Sequence, residues 1–167
     1  PAGVGGEPGE LDAGVAGGLA LGVVQSELVN IAGVAPIIVR SAATGETKSI
    51  AGLGWWPKAM TASYFQEKRG GAIPHGLERT VIPAAPDAWI TALERFGTMN
   101  FGEVARSAIR LARDGFVMYP LMAELLETFE EEYSRWPSST AVYMPNGRPP
   151  RVGEKFVQTD LANTLQY

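Results

Sequence analysis

The run LDAGVAGGLALGVVQ, residues 11–25, constrains this chain more than any other stretch. It is apolar enough to be buried, yet Gly14, Gly17, Gly18 and Gly22 make it a poor helix on its own. Each interior glycine costs a helix about 1 kcal/mol relative to alanine. The same glycines let a neighbouring element approach closely, and that packing is what offsets the cost. The run therefore predicts a buried helix inside a folded core, with Asp12 near its N-terminus. Its glycines interrupt the apolar stretch well short of membrane-spanning length.

Beyond residue 35 the apolar residues change period. PIIVRSA (36–42) reads as a strand, ATGE (43–46) as a turn in which Gly45 can take a positive φ, and TKSIAGLG (47–54) as the returning strand. Just past this hairpin lies GLGWWPKA (52–59). On an extended chain Trp55 and Trp56 point to opposite sides, so one core cannot easily take both. The segment is either a pocket wall or a place where both tryptophans pack under helices. An irregular region with the glycine-rich loop RGGAIPHG (69–76) comes next.

Three helices are then expected. APDAWITALERFG (85–97) has Pro86 near its start and Gly97 as a stop. NFGEVARSAIRLARDG (100–115) opens on Asn100 and Glu103, a capping-box pattern, and carries Val104, Ala108, Leu111 and Ala112 as its apolar stripe. YPLMAELLETFEEEYSRW (119–136) keeps Leu121, Met122, Leu125, Leu126, Phe129 and Tyr133 at helical spacing. QTDLANTLQY (158–167) starts a last helix. Residues 1–10 are expected to be a flexible start and residues 85–136 a helical lobe, all within one domain. Helix, hairpin and helical stack together predict an α+β or layered α/β fold.

Chemistry is narrowed mostly by exclusion. At 167 residues the sequence holds no cysteine and one histidine, His75. Thiol catalysis, cysteine zinc sites and multi-histidine metal sites are therefore out. The net charge of −4 argues against general nucleic-acid binding. Arg106, Arg110 and Arg113 are flanked by Glu103 and Asp114 and read as a solvated face. GVGGEPG has no strand before it and no Lys-Ser/Thr after it, so it is not a phosphate loop. Glu130, Glu131 and Glu132 read as a solvated helix face, His75 as a surface histidine, and Ser26, Ser41, Ser63 and Ser107 fit no nucleophile elbow. Pro1 would be an amine nucleophile only at a natural terminus. The opening PAGVGG, without Met, and the ending NTLQY inside a helical pattern read as cut ends. They leave the compartment open, with a lean to the cytoplasm.

Taken in order, four stretches resemble the γ-glutamyltransferase family of N-terminal-nucleophile (Ntn) hydrolases. LDAGVAGGLALGVVQSELVNIAGVAPIIV (11–39) is similar to the family's small-residue helix, glycine-rich loop and next strand. GLGWWPKA stands where the family has G-R-E-T-A-P. VIPAAPDAWITALERFGTMNFGEVARSAIRLARDGFVMYPLMAELL (81–126) resembles its helical segment, and NGRPPRVGEKFVQTDLANTLQY (146–167) its later turn and helix.

The resemblance implies a four-layer αββα fold in which this chain gives helices and a hairpin to a sheet completed by another polypeptide. It implies a precursor that cuts itself and exposes a threonine at the start of a smaller subunit. That hydroxyl attacks an amide, with the threonine's own amine, of pKa about 8, as base. No catalytic residue, cofactor or metal is then expected in these residues. The partners are the small subunit and a small-molecule amide, with no nucleic acid and no membrane. Aligning Gly52 and Pro57 puts Leu53 where the family's arginine holds the substrate carboxylate, Gly54 in place of Glu, and Trp55 and Trp56 in place of Thr and Ala. These four form the expected substrate wall, with Asn30 and Gly33 of NIAGVAP beside them.

Three readings are then open. One is a family amidohydrolase whose acyl group is not γ-glutamyl, as in oxamate amidohydrolases or cephalosporin acylases. Another is a true γ-glutamyltransferase or glutathione hydrolase that uses Arg69 or Lys58 for the carboxylate. The third is a non-catalytic scaffold.

Overall fold

A computed structural model of the chain describes residues 9–167. The expected flexible start, the GVGGEPG run and Pro1 thus lie almost wholly outside the described residues. In chain order the first elements are α1 (Glu10–Val24), β1 (Ile37–Arg40), β2 (Thr47–Ile50) and α2 (Ala62–Arg69), then a 3-10 turn (Leu77–Arg79) and α3 (Ala85–Phe96). The rest are α4 (Phe101–Asp114), β3 (Phe116–Val117), α5 (Pro120–Thr128), α6 (Glu130–Ser134), α7 (Pro137–Tyr143), β4 (Lys155–Phe156) and α8 (Thr159–Gln166). This is an α+β chain.

It divides into two compact units. The first holds residues 31–96 and the second holds residues 9–30 with 97–167. The helical run expected over 85–136 is therefore divided: α3 belongs to the first unit, α4 to α6 to the second.

In the first unit β1 and β2 pair antiparallel with Ile37 opposite Ile50 and Arg40 opposite Thr47. Ser41 N–H donates to Glu46 C=O at 2.9 Å to close the turn around Gly45, whose φ is 72°. Helix α2 was not legible as a helix. Only its Phe65 is buried, so it lacks an apolar stripe. Its caps are sound: Thr61 Oγ1 accepts from Tyr64 N–H at 3.1 Å, and Gly70 ends it in the left-handed region. Helix α3 buries Ala85, Ala88, Trp89, Ala92 and Leu93 on one face.

In the second unit α1 packs on α4, and α4 on α8. Alanines dominate this seam: Ala105, Ala108, Ala112 and Ala162 are fully buried. Such short side chains bring helices close. Asn100 and Glu103 form the expected capping box, Asn100 Oδ1 accepting at 3.0 Å and Glu103 Oε2 at 2.9 Å. On α1 the buried face is Asp12, Val15, Leu19, Gly22 and Val23. Gly14 and Gly17 do not give the close approach expected of them. They lie off that face at a 3.6-residue period, and a Cβ added there meets nothing within 4 Å among the described residues.

The stretch 119–136 is two helices rather than one, broken at Phe129. A continuous helix would carry Glu130–Glu132 near its C-terminus, where the dipole opposes them. The break places them in the first turn of α6, where it favours them. A second cluster gathers Met118, Met122, Leu126 and Phe156. Phe156 meets Phe116 edge-on and stacks with Tyr143, each pair at 5.7 Å. Strands β3 and β4 place Phe116 opposite Phe156.

Two side chains tie α1 to this unit. Asp12 accepts from Thr98 N–H at 3.0 and 3.1 Å, from Thr98 Oγ1 at 2.6 Å and from Met99 N–H at 3.2 Å. Gln158 Nε2 donates to Val23 C=O at 2.7 Å, at the other end of α1. Burial alone would push the Asp12 carboxyl up, but the Thr98 and Met99 hydrogen bonds outweigh it and hold it below its ordinary 3.8.

This packing generates two expectations for stability. Ala108→Asp places an unpaired carboxylate on the buried face of α4 and should cost about 3 kcal/mol or more, read as a fall in Tm. An unchanged Tm would show that the buried face of α4 is assigned wrongly. Asp12, with a depressed folded pKa, contributes stability that is present above its ordinary pKa and is lost as pH falls through the lowered value. Asp12→Ala should cost about 2–3 kcal/mol at neutral pH and flatten the acid limb of Tm against pH. An acid limb of unaltered slope would rule this out.

Candidate functional site

The hairpin delivers the chain to residues 51–56, which run as a strap between two other backbone segments of the first unit. Ala35 N–H donates to Gly52 C=O and Ile82 N–H to Trp55 C=O, both at 2.8 Å. Gly33 C=O accepts from Ala84 and Ala85 N–H at 3.1 Å, which satisfies the start of α3. Such spacing leaves no room for a side chain at two positions. Gly52 has φ 52°, and a Cβ there would lie 2.1 Å from Ala35 C=O; Gly54 has φ 69°, and a Cβ there would lie 2.2 Å from Ile82 C=O. Glycine is therefore obligatory at both.

The strap turns its two tryptophans different ways. Trp55 is 83% exposed, whereas Trp56 leans on the buried Phe65 ring at 5.3 Å. Leu53 is 57% exposed. Residues 49–55 line a cleft of about 730 Å³ with residues 82–84 and one face of α3. On that face stand Asp87, Thr91 and Arg95. Leu53, Gly54 and Trp55 are thus brought together at one cleft, Trp56 does not line it, and Gly33 supports its frame. Asn30 falls in the second unit. Asp87, Thr91 and Arg95 escaped sequence reasoning. The available signal was a polar i, i+4, i+8 row along the helix.

The cations near the strap differ in their freedom. Arg69 binds Glu78 through two bonds, Nε to Oε2 at 2.8 Å and Nη2 to Oε1 at 2.6 Å. Tyr64 OH donates to the same Oε1 at 2.6 Å. The Arg69 and Tyr64 hydrogen bonds hold the Glu78 carboxyl down to about 2, and the bond to Glu78 raises the Tyr64 phenol. Lys58 is exposed and does not line the cleft. Arg95 does line it.

A model of the family described as Gamma-glutamyltranspeptidase matches residues 5–167. The chain belongs to this family. Among curated members it is 29% identical over 161 residues to the glutathione hydrolase proenzyme of Bacillus subtilis (strain 168), covering 93% of this chain and 27% of that protein. It is 31% identical over 166 residues to the Acylase ACY 1 proenzyme of Pseudomonas sp. (strain SE83), covering 93% and 30%. The chain thus spans less than a third of these relatives' length.

Two solved structures show the same fold. That of Helicobacter pylori γ-glutamyltranspeptidase superposes with TM-score 0.84 at 28% identity over 93% of this chain and 46% of that chain. The cephalosporin acylase of Bacillus halodurans gives TM-score 0.83 at 26% identity over 93% and 30%. Hydrolase and acylase relatives stand at nearly the same identity, so overall likeness does not choose between their substrates.

The strap geometry gives its own test. Gly54→Ala forces the Ile82 carbonyl aside and breaks the bond that anchors Trp55. It should cost about 2–3 kcal/mol, read as a lower Tm, where Trp55→Ala costs under about 1 kcal/mol. Equal effects of the two would show that the strap is not held by its backbone.

Proposed function

We propose that this chain is the front part of the large subunit of a self-processed amide hydrolase or acyltransferase whose acyl group is not γ-glutamyl. The observation that carries this is Leu53, at the position of the family's carboxylate-binding arginine, standing beside Trp55 on the wall of the cleft. A γ-glutamyl group brings a carboxylate that must be desolvated and paired. Leucine offers no donor, and losing such a contact costs about 2–3 kcal/mol. The strap instead offers apolar and aromatic surface.

The chemistry comes from the second, smaller chain of the same precursor. Its N-terminal threonine hydroxyl adds to the amide carbonyl and gives its proton to the α-amine. That proton passes to the departing amine, leaving an acyl-enzyme. Water or a second amine then takes the acyl group. Residues 36–54 would pair beside strands of that chain and complete the four-layer αββα fold, so that residues 1–167 are part of a single domain. Gly33 stays near the site as part of the strap's frame, and Asn30 joins it only if the complete enzyme brings the second unit there.

The γ-glutamyl alternative that relies on Arg69 or Lys58 is less well supported, because Arg69 is already committed to Glu78 and Lys58 is not a lining residue; Arg95 is the one cation among the lining residues. The test is kcat/KM of the complete enzyme for γ-glutamyl-p-nitroanilide against an acyl p-nitroanilide lacking the α-amino acid group. The γ-glutamyl substrate should be at least about tenfold poorer, and Leu53→Arg should narrow the gap. Efficient γ-glutamyl turnover that disappears in Lys58→Ala would establish the alternative. A precursor that never yields a second chain beginning with Thr would establish a scaffold.

A further inference from the structure

Among the described residues two buried side-chain atoms have no hydrogen-bond partner, Ser26 Oγ and Glu27 Oε2. They belong to consecutive residues just past α1, in the second unit. A buried polar atom left bare costs free energy, and a carboxylate oxygen costs most. The segment that carries them is fixed. Gln25 C=O accepts from Leu28 N–H at 3.0 Å and from Val29 N–H at 2.8 Å. The other Glu27 oxygen, Oε1, accepts from Tyr119 OH. Tyr119 follows a residue that is itself tied down: Met118 N–H donates to Glu154 C=O at 2.8 Å, and Met118 C=O accepts from Gly153 N–H at 2.9 Å. Glu27 therefore cannot swing out to water without giving up Tyr119.

The surroundings of this carboxylate do not neutralise it. Tyr119, Tyr133 and Tyr143 pack against the cluster of Met118, Met122, Leu126 and Phe156. Burial, and after it Tyr143 and the Glu27 charge, push the Tyr133 phenol above its ordinary 10. Burial and the bond to Glu27 do the same to Tyr119. Both phenols thus stay neutral at neutral pH. No lysine, arginine or histidine pairs with Glu27 among the described residues. Glu78 and Glu154, by contrast, each hold an arginine through two bonds. A carboxylate placed like Glu27 calls for a cation. A guanidinium suits it best, being weakly hydrated and having several N–H groups, so that it can serve the Ser26 hydroxyl as well. The chain covers 27% and 30% of the two curated relatives named above, so most of such a polypeptide lies outside these residues.

We propose that Ser26 and Glu27 form a docking point for a cationic side chain, foremost an arginine, contributed by the remainder of the same precursor. The contact does not depend on which acyl group the enzyme takes or on whether the precursor is cut. It holds the turn from which the chain runs on to Gly33 and Ala35, whose main-chain groups anchor the start of α3 and the strap.

The experiment uses the complete protein, cut or uncut, and compares Tm for Glu27→Gln, Tyr119→Phe and Glu131→Gln. Glutamine keeps an oxygen for Tyr119 OH and removes only the charge. With a cation on Glu27, that change strands a buried positive group, and Tm should fall by about 5 °C or more. The fall should exceed that of Tyr119→Phe, which leaves carboxylate and cation together. Glu131, exposed on α6, is the control and should leave Tm alone. A structure of the complete protein should place an arginine or lysine nitrogen from outside this chain about 3 Å from Glu27 Oε2. Water or a neutral group there would overturn the inference. So would a Tm for Glu27→Gln equal to or above that of the unmodified protein, the result expected when an uncompensated buried charge is removed. So would a smaller fall for Glu27→Gln than for Tyr119→Phe.

Discussion

One carboxylate sets the order of the second unit. Asp12 sits in the first turn of α1 and is 2% exposed, a position that would be costly for an unpaired charge. It is tolerated because Thr98 and Met99 give it four contacts from a segment 86 residues on. Those donors are the free N–H groups just ahead of α4, so one side chain both neutralises its own burial and fixes where α4 begins. With α4 started there, its alanine face meets α1 and α8. At the far end of α1, Gln158 reaches the Val23 carbonyl while its own N–H bonds Ala112 C=O at the end of α4. Tyr119 OH donates to Glu27 just beyond α1. The glycine-rich helix is therefore clasped at both ends by polar bonds, which lets its weakly helical sequence stay helical.

How much of this was legible depends on whether the cause is local. Helix α4 could be read from Asn100, Glu103 and the apolar row because cap and stripe lie within its own residues. The hairpin was legible for the same reason, through Gly45 and the alternating flanks. Helix α2 was not, since a polar helix with one buried residue has no period to detect, and α7 has no buried residue at all. The break at Phe129 depends on where three glutamates sit relative to a helix end, which spacing alone does not decide. The partner of Asp12 was out of reach because it is non-local.

The candidate site divides along the same line. Leu53 to Trp56 stood out by composition and by place within the family pattern. Arg95 did not, because nothing in ERFG distinguishes a cleft-lining arginine from a solvated one. Its place at a cleft depends on the strap, which bonds to residues 35 and 82. The two tryptophans illustrate the limit from the other direction. Sequence left both as wall or both as core, whereas the chain does neither: Trp55 lines the cleft, and Trp56 is half-exposed with its ring against Phe65.

The strap keeps its frame without help from its exposed side chains. Its course is set by main-chain hydrogen bonds and by two glycines in positive-φ conformations, none of which involves the side chains at positions 53 and 55. A change of side chain at position 53 therefore alters the surface of the cleft and leaves the path of the chain as it was. The converse also holds. A change at Gly52 or Gly54 would alter the path itself, because a carbonyl already occupies the space of the missing Cβ. Cleft-lining side chains and framework glycines thus alternate residue by residue along the strap. Overall identity, which averages over the whole chain, gives little weight to these few positions.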